Sequence, residues 1–189
     1  MTAGPPPPDP VRTATLEAFA DTIIPGTKRF PGDRAIAGVV DDAGAVEAGA
    51  LDLLAHPALG LADALDGMAG LLNMHAQTYA RTRRLTLDPA VPAFVALEFD
   101  DRTALVQDLT DPSHPEREVW FGAALFCTMA FDSAPHLSTA EALDQGHPGM
   151  SILGFSKPDE DGLWRFPHFS YQRQLADIHP QTTATGSPA

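Results

Sequence analysis

Seven histidines are the side chains of this sequence most suited to chemistry, and their spacing decides which chemistry is open to them. None stands in His-x-x-x-His or Glu-x-x-His order, the arrangements that put two metal ligands on one face of a helix. His56, His114, His147 and His179 each precede a proline, which places them at helix ends and turns. His136, His147 and His168 would have to converge from a glycine- and proline-broken region to hold an ion, so no metal is expected. His75 and His168 remain as candidates for proton transfer, for which one histidine and one carboxylate suffice. The ordinary reading of His75 is a hydrogen-bonded core residue on the inner face of a helix.

Nucleophiles are no better placed. Ser151 lies in Gly149-Met150-Ser151-Ile152-Leu153, which lacks the Gly-x-Ser-x-Gly elbow, and Ser133 opens a turn before Ala134-Pro135. Cys127 is the one cysteine; among Phe126 and Met129 it reads as a buried, inert thiol, and it excludes an internal disulfide. The chain has neither Gly-x-Gly-x-x-Gly nor a Gly-x-x-x-x-Gly-Lys phosphate loop, so it is not expected to hold a dinucleotide or any cofactor of its own. Asp41-Asp42 and Asp100-Asp101 read as helix caps and Asp159-Glu160-Asp161 as a solvated loop.

Size and charge bound what remains. A chain of 189 residues with 44% hydrophobic and 20% charged side chains supports one globular domain with a real core. Twelve basic residues against 25 acidic ones give a net charge of −13, and no run of Lys or Arg interrupts it. Nucleic acid and anionic membranes are therefore poor partners. No apolar run reaches the length of a membrane span. The start, Met1 to Gly4 and then four prolines, has no basic or apolar region of a secretory signal, so a cytoplasmic location is expected.

The elements follow from apolar spacing. Leu16, Phe19, Ala20, Ile23 and Ile24 recur at i, i+3, i+4, i+7 and i+8, the stripe of a core-facing helix, and Pro25 stops it. Pro25-Gly26 and Pro31-Gly32 bracket a loop with Lys28 and Arg29, and a second apolar segment opens near Ala35. Helices are expected over 44–55, 59–83, 93–97, 101–109 with Asp100 as cap, 116–131 and 138–143. Arg81, Arg83 and Arg84 complement the dipole at the end of the long helix. The segment 116–131, with Trp120, Phe121, Leu125 and Met129, is the most hydrophobic and is expected at the centre of the core.

The fold class is therefore all-α, a single-domain bundle of about five or six helices with a long irregular C-terminal arm. Residues 1–12 read as a disordered Pro-rich lead-in, 13–155 as the helical domain, 156–179 as the arm and 180–189 as a disordered tail. The arm carries Trp164, Arg165, Phe166, His168, Phe169, Tyr171 and Arg173. Together with Phe155 these are the candidate partner-binding residues, aromatic and arginine side chains being enriched at interface centres. Closing the helical core is the alternative use of the same aromatics.

The order of motifs also resembles a known family. A helix ending in Asp21-Thr22-Ile23-Ile24-Pro25, a Pro-Gly loop and then Ala37-Gly38-Val39 is similar to the start of the gluconate 2-dehydrogenase subunit 3 family. The stretch from Gly146-His147-Pro148-Gly149-Met150 to Gly154-Phe155 is similar to the Gly-rich segment that follows the last core helix of that family. Those proteins are small subunits of flavin-dependent oxidoreductases of the glucose–methanol–choline type. Typical members carry a twin-arginine export signal, whereas this chain starts almost directly at its first helix and so resembles a cytoplasmic actinobacterial relative. The resemblance implies a non-catalytic accessory subunit in a biosynthetic pathway, with FAD in the partner. The alternative is a small cofactor-independent enzyme, a cyclase, isomerase or dehydratase, acting on an apolar intermediate with His75 and His168 as its proton-transfer residues.

Overall fold

A computed structural model describes residues 9–132, 137–155, 157, 180 and 181. Helix α1 is Pro10–Ile23, and its start is written locally: the Asp9 side chain accepts the Val11 N–H at 3.0 Å, and proline occupies the first helical position, where no N–H is needed. It therefore begins inside the stretch 1–12 that composition alone marks as a lead-in. Leu16, Phe19 and Ala20 are buried as their spacing requires.

Glycines decide where the next elements begin. The helix expected over 44–55 is cut by Gly49, which sits at φ +93°. A turn over residues 45–49 precedes it, with Ala50 N–H reaching back to Ala45 C=O, and only Ala50–Leu54 is helical, as α2. Gly60, at φ +65°, likewise ends a short 3₁₀ turn at Pro57–Leu59. A second turn, Ala62–Ala64, leads into α3, Leu65–Arg83, so the long helix starts about six residues later than the apolar pattern suggests. The expected helix over 93–97 is a single turn closed by Ala96 N–H on Pro92 C=O.

Helix α4 is Phe99–Thr110, and Asp100 is not its cap: Glu98 holds that position without a side-chain bond, while the Asp101 carboxylate accepts the Tyr79 hydroxyl at 3.0 Å. Helix α5 is Arg117–Asp132. Helix α6, Thr139–Asp144, is capped by Ser138. Helix α7, Pro148–Ile152, is a short helix in the Gly-rich stretch.

Helix α5 packs against α1, α2, α4 and α7, while α1 also packs on α3 and α4. Trp120, Ala123, Cys127 and Ala130 face inward at steps of three and four, and the Trp120 ring meets Phe19 at 6.0 Å. Each such large apolar side chain contributes roughly 1.5–3 kcal/mol by leaving water. Burial pushes the Cys127 thiol up to about 12, which makes it inert at neutral pH.

One polar residue belongs to this core. Arg102, 4% exposed, donates from Nε to Leu97 C=O, from Nη1 to Ala35 C=O and from Nη2 to Arg34 and Val95 C=O, at 2.6–3.0 Å. One side chain thus ties the loop after α1 to the turn before α4.

The described residues up to Phe155 form one compact all-α unit, with no strand among them and no helix long and apolar enough to cross a membrane. Of the expected arm and tail, only Lys157, Pro180 and Gln181 are described. Trp164, Arg165, Phe166, His168, Phe169, Tyr171 and Arg173 lie outside the described residues.

Candidate functional site

The chemistry-bearing residues gather at two places. The first is built on α3 and the start of α5. His75 is half-buried, its side chain 22% exposed, and its Nε2 lies 2.8 Å from Glu116 Oε2. The same oxygen accepts the Trp120 indole N–H at 3.0 Å, a pairing that one helical turn on α5 makes possible. His114 completes the group: its Nδ1 accepts the Glu116 backbone N–H at 3.2 Å, and its ring lies edge-on to His75 at 5.8 Å between centroids. Trp120 N–H and His75 hold the Glu116 carboxyl below its ordinary range, outweighing partial burial.

His75 and His114 of this group line an open cleft of about 330 Å³. One wall is the α3 face His75, Thr78, Tyr79, Thr82, residues three and four apart; Leu105 and Leu109 of α4 form the other. Tyr79 is pushed above the ordinary phenol range by burial first and by its bond to Asp101 second, and Arg83 lies over its ring at 5.1 Å. An imidazole oriented by a carboxylate is equipped to take up and return a proton. His75 was legible as a candidate from sequence; Glu116, 41 positions away, was not, because nothing local links the two.

The geometry sets a pH dependence for this group. The folded-state carboxyl of Glu116 is depressed, so its contribution to stability is present above the unfolded carboxyl range and disappears as pH falls through the lower folded value. Glu116→Gln is therefore expected to unfold at lower urea than wild type at pH 7, and to match it more closely at pH 3. A gap of the same size at both pH values would refute the assignment.

The second place is built by the motif at the end of α1. Asp21, 1% exposed, accepts Gly26 N–H at 3.0 Å on one oxygen and Ala37 N–H at 2.8 Å on the other, which pins both ends of the Pro-Gly loop to the helix. Burial raises its carboxyl above the ordinary range, the two N–H bonds and Arg102 offsetting only part. Gly26 crosses Gly44 so closely that a Cβ on Gly44 would lie 2.6 Å from Gly26 N, and Ala45 N–H bonds Ile24 C=O beside the crossing. Arg29 spans Glu17, held at 2.6 and 2.8 Å by its two Nη atoms, and Asp33, held by Nε at 2.7 Å. Burial works to raise the Asp33 carboxyl, but the Arg29 bond and the Ile36 N–H outweigh it and the net shift is downward.

Glu17, Asp21, Gly26, Arg29 and Gly44 line an open cavity of about 390 Å³. Ile36, Val46 and Leu51 supply apolar lining, and Glu17 with Arg29 forms an ionic wall. Sequence singled out this stretch by its order of motifs; the cavity itself depends on the crossing of two glycines and could not be read.

Of the residues expected to bind a partner, Phe155 is described and is 49% exposed. His168, the second proton-transfer candidate, lies outside the described residues. Helix α5 adds a feature not foreseen: Phe121 and Leu125, one turn apart, are 46% and 49% exposed, and Arg117 lies over the Phe121 ring at 4.7 Å. Among the described residues, no group of three or more His, Cys, Asp or Glu side chains is placed so that it could hold a metal ion.

Residues 10–189 match the sequence model of a family of unknown function, DUF5987. No curated protein and no solved structure matches the chain.

Proposed function

The chain belongs to the DUF5987 family, and we propose that it acts as a non-catalytic accessory subunit of a flavin-dependent oxidoreductase of the glucose–methanol–choline type, in a cytoplasmic biosynthetic pathway. The observation that carries this reading is the outer face of α5. The most hydrophobic of the four long helices among the described residues turns Trp120, Ala123 and Cys127 inward and still presents Phe121 and Leu125 to solvent. Aromatic and aliphatic side chains beside an arginine are the composition of an interface core.

The motifs that resemble the gluconate 2-dehydrogenase small subunits fit the same view, since they act as scaffold. Asp21 binds the loop to α1, and the Gly-rich segment makes α7, ended by Gly154 at φ +76° with Phe155 N–H on Met150 C=O. In this proposal the partner holds FAD and abstracts the hydride, while this chain stabilises it or shapes its substrate entrance.

Co-expression with a flavoprotein encoded beside this chain tests the proposal by size-exclusion. Co-elution is expected for wild type, and Phe121→Asp with Leu125→Asp is expected to abolish it without unfolding the chain, both positions being exposed. Shortening the chain before Gly162 is expected to weaken it through loss of the aromatic arm. A flavoprotein that is soluble and active alone, and never co-elutes, would count against the reading.

A second reading has one observation in its favour, the His75–Glu116 pair in its cleft. It makes the chain a cofactor-independent isomerase, cyclase or dehydratase. Turnover of an apolar intermediate by the isolated chain, lost in His75→Gln, is the result it requires.

A further inference from the structure

The cavity beneath the Pro-Gly loop has a composition that neither α5 nor the His75 cleft shares. Its lining is apolar at Ile36, Val46 and Leu51, yet four carboxylates, Glu17, Asp21, Glu47 and Asp52, stand around it against one cation, Arg29. Glu17 is matched by Arg29 and Asp21 by backbone N–H groups. Glu47 and Asp52 are exposed, and their side chains make no hydrogen bond or ion pair with another described residue. What this arrangement lacks is a positive charge at the rim, carried on a stem apolar enough for the lining.

We propose that this cavity is a docking socket for a lysine or arginine side chain presented by the protein partner, with the methylene stem against Val46 and Leu51 and the charged head between Glu47 and Asp52. The length of such a side chain suits the space: its stem covers apolar surface while its head stays at the wet edge. The loop that roofs the cavity carries further exposed apolar side chains, Phe30 at 54% and Val39 at 50%, more than a small free amine would cover. A chain of net charge −13 also draws a basic segment toward it before contact.

The inference rests on the accessory-subunit reading and adds to it the chemistry of the contact. An NMR titration of the full chain tests it with three blocked peptides, Leu-Lys-Leu, Leu-Arg-Leu and Leu-Glu-Leu, and with butylammonium. The basic peptides are expected to shift the amide signals of Thr27, Ile36, Val46 and Leu51, and Leu-Glu-Leu to leave them unmoved. The variant Glu47→Gln with Asp52→Asn is expected to bind the basic peptides about tenfold more weakly, the loss of two exposed ion pairs. No shift with the basic peptides, equal shifts with the acidic one, or affinity unchanged in the variant would overturn the socket. Butylammonium binding as tightly as the peptides would overturn it in favour of a small-amine pocket. The two readings fail separately: a wild-type chain that never co-elutes with the flavoprotein removes the subunit, whereas co-elution that the double variant leaves intact removes only the socket.

Discussion

Arg102→Met is expected to destabilise the protein by about 4 kcal/mol, a large share of the stability of an ordinary domain. The guanidinium satisfies four backbone carbonyls that the fold brings together from two separate segments, Arg34 and Ala35 on one side and Val95 and Leu97 on the other. Methionine fills a similar volume but donates nothing, so those carbonyls remain desolvated without partners, at roughly 1–3 kcal/mol for each that water cannot reach. Burial lowers the affinity of Arg102 for its proton, and Asp21 opposes that through space, so removing the charge relieves part of the loss. Lysine is not a remedy, because one ammonium cannot reproduce a planar fork directed at four acceptors. Urea unfolding followed by Trp fluorescence measures the change; a loss below about 1 kcal/mol would mean that the carbonyls find other donors.

The second large effect is expected at Gly149. A Cβ placed there would lie 1.8 Å from the Ala130 carbonyl oxygen and 2.8 Å from its carbon, a backbone collision that no rotamer can relieve. Helix α7 rests on α5 at this point, and Met150 beside it is buried. Gly149→Ala should therefore lift α7 from α5 at a loss of about 3 kcal/mol, the upper range for overpacking. Hydrogen exchange at the Phe155 N–H, which bonds Met150 C=O, reports that release directly. The exposed neighbour Ser151→Ala is the control and should change little. Protection of Phe155 unchanged in Gly149→Ala would show that the two helices can separate slightly without penalty.

How much of this was legible before the fold was known differs by residue. Leu16, Phe19 and Ala20 announce α1, because a repeat of three and four has one geometric meaning; the apolar content of 116–131 announces α5, but not which face is inward, since Ala123 and Cys127 are buried while Phe121 and Leu125 are exposed. The same repeat misleads across Gly49 and Gly60, where apolar residues continue on both sides of a left-handed turn. Arg102 was missed although its position gave a clue: it falls on the stripe that continues through Leu105, Val106 and Leu109, where a charged side chain has to be explained. His75 could be suspected, but its partner Glu116 could not, because their pairing is tertiary. The Asp21 motif was visible as a pattern, while its work, holding two distant N–H groups, needed the loop to be in place.

Cys127 turns this architecture into a clock. The chain's only thiol is wholly enclosed on the inner side of α5 and ionises only near about 12. A thiol reagent in large excess will modify it at a rate set by how often the bundle breathes open, not by the reagent's own reactivity. The half-time of that labelling gives every variant named above, and any complex the chain enters, a direct reading of kinetic stability without an added probe.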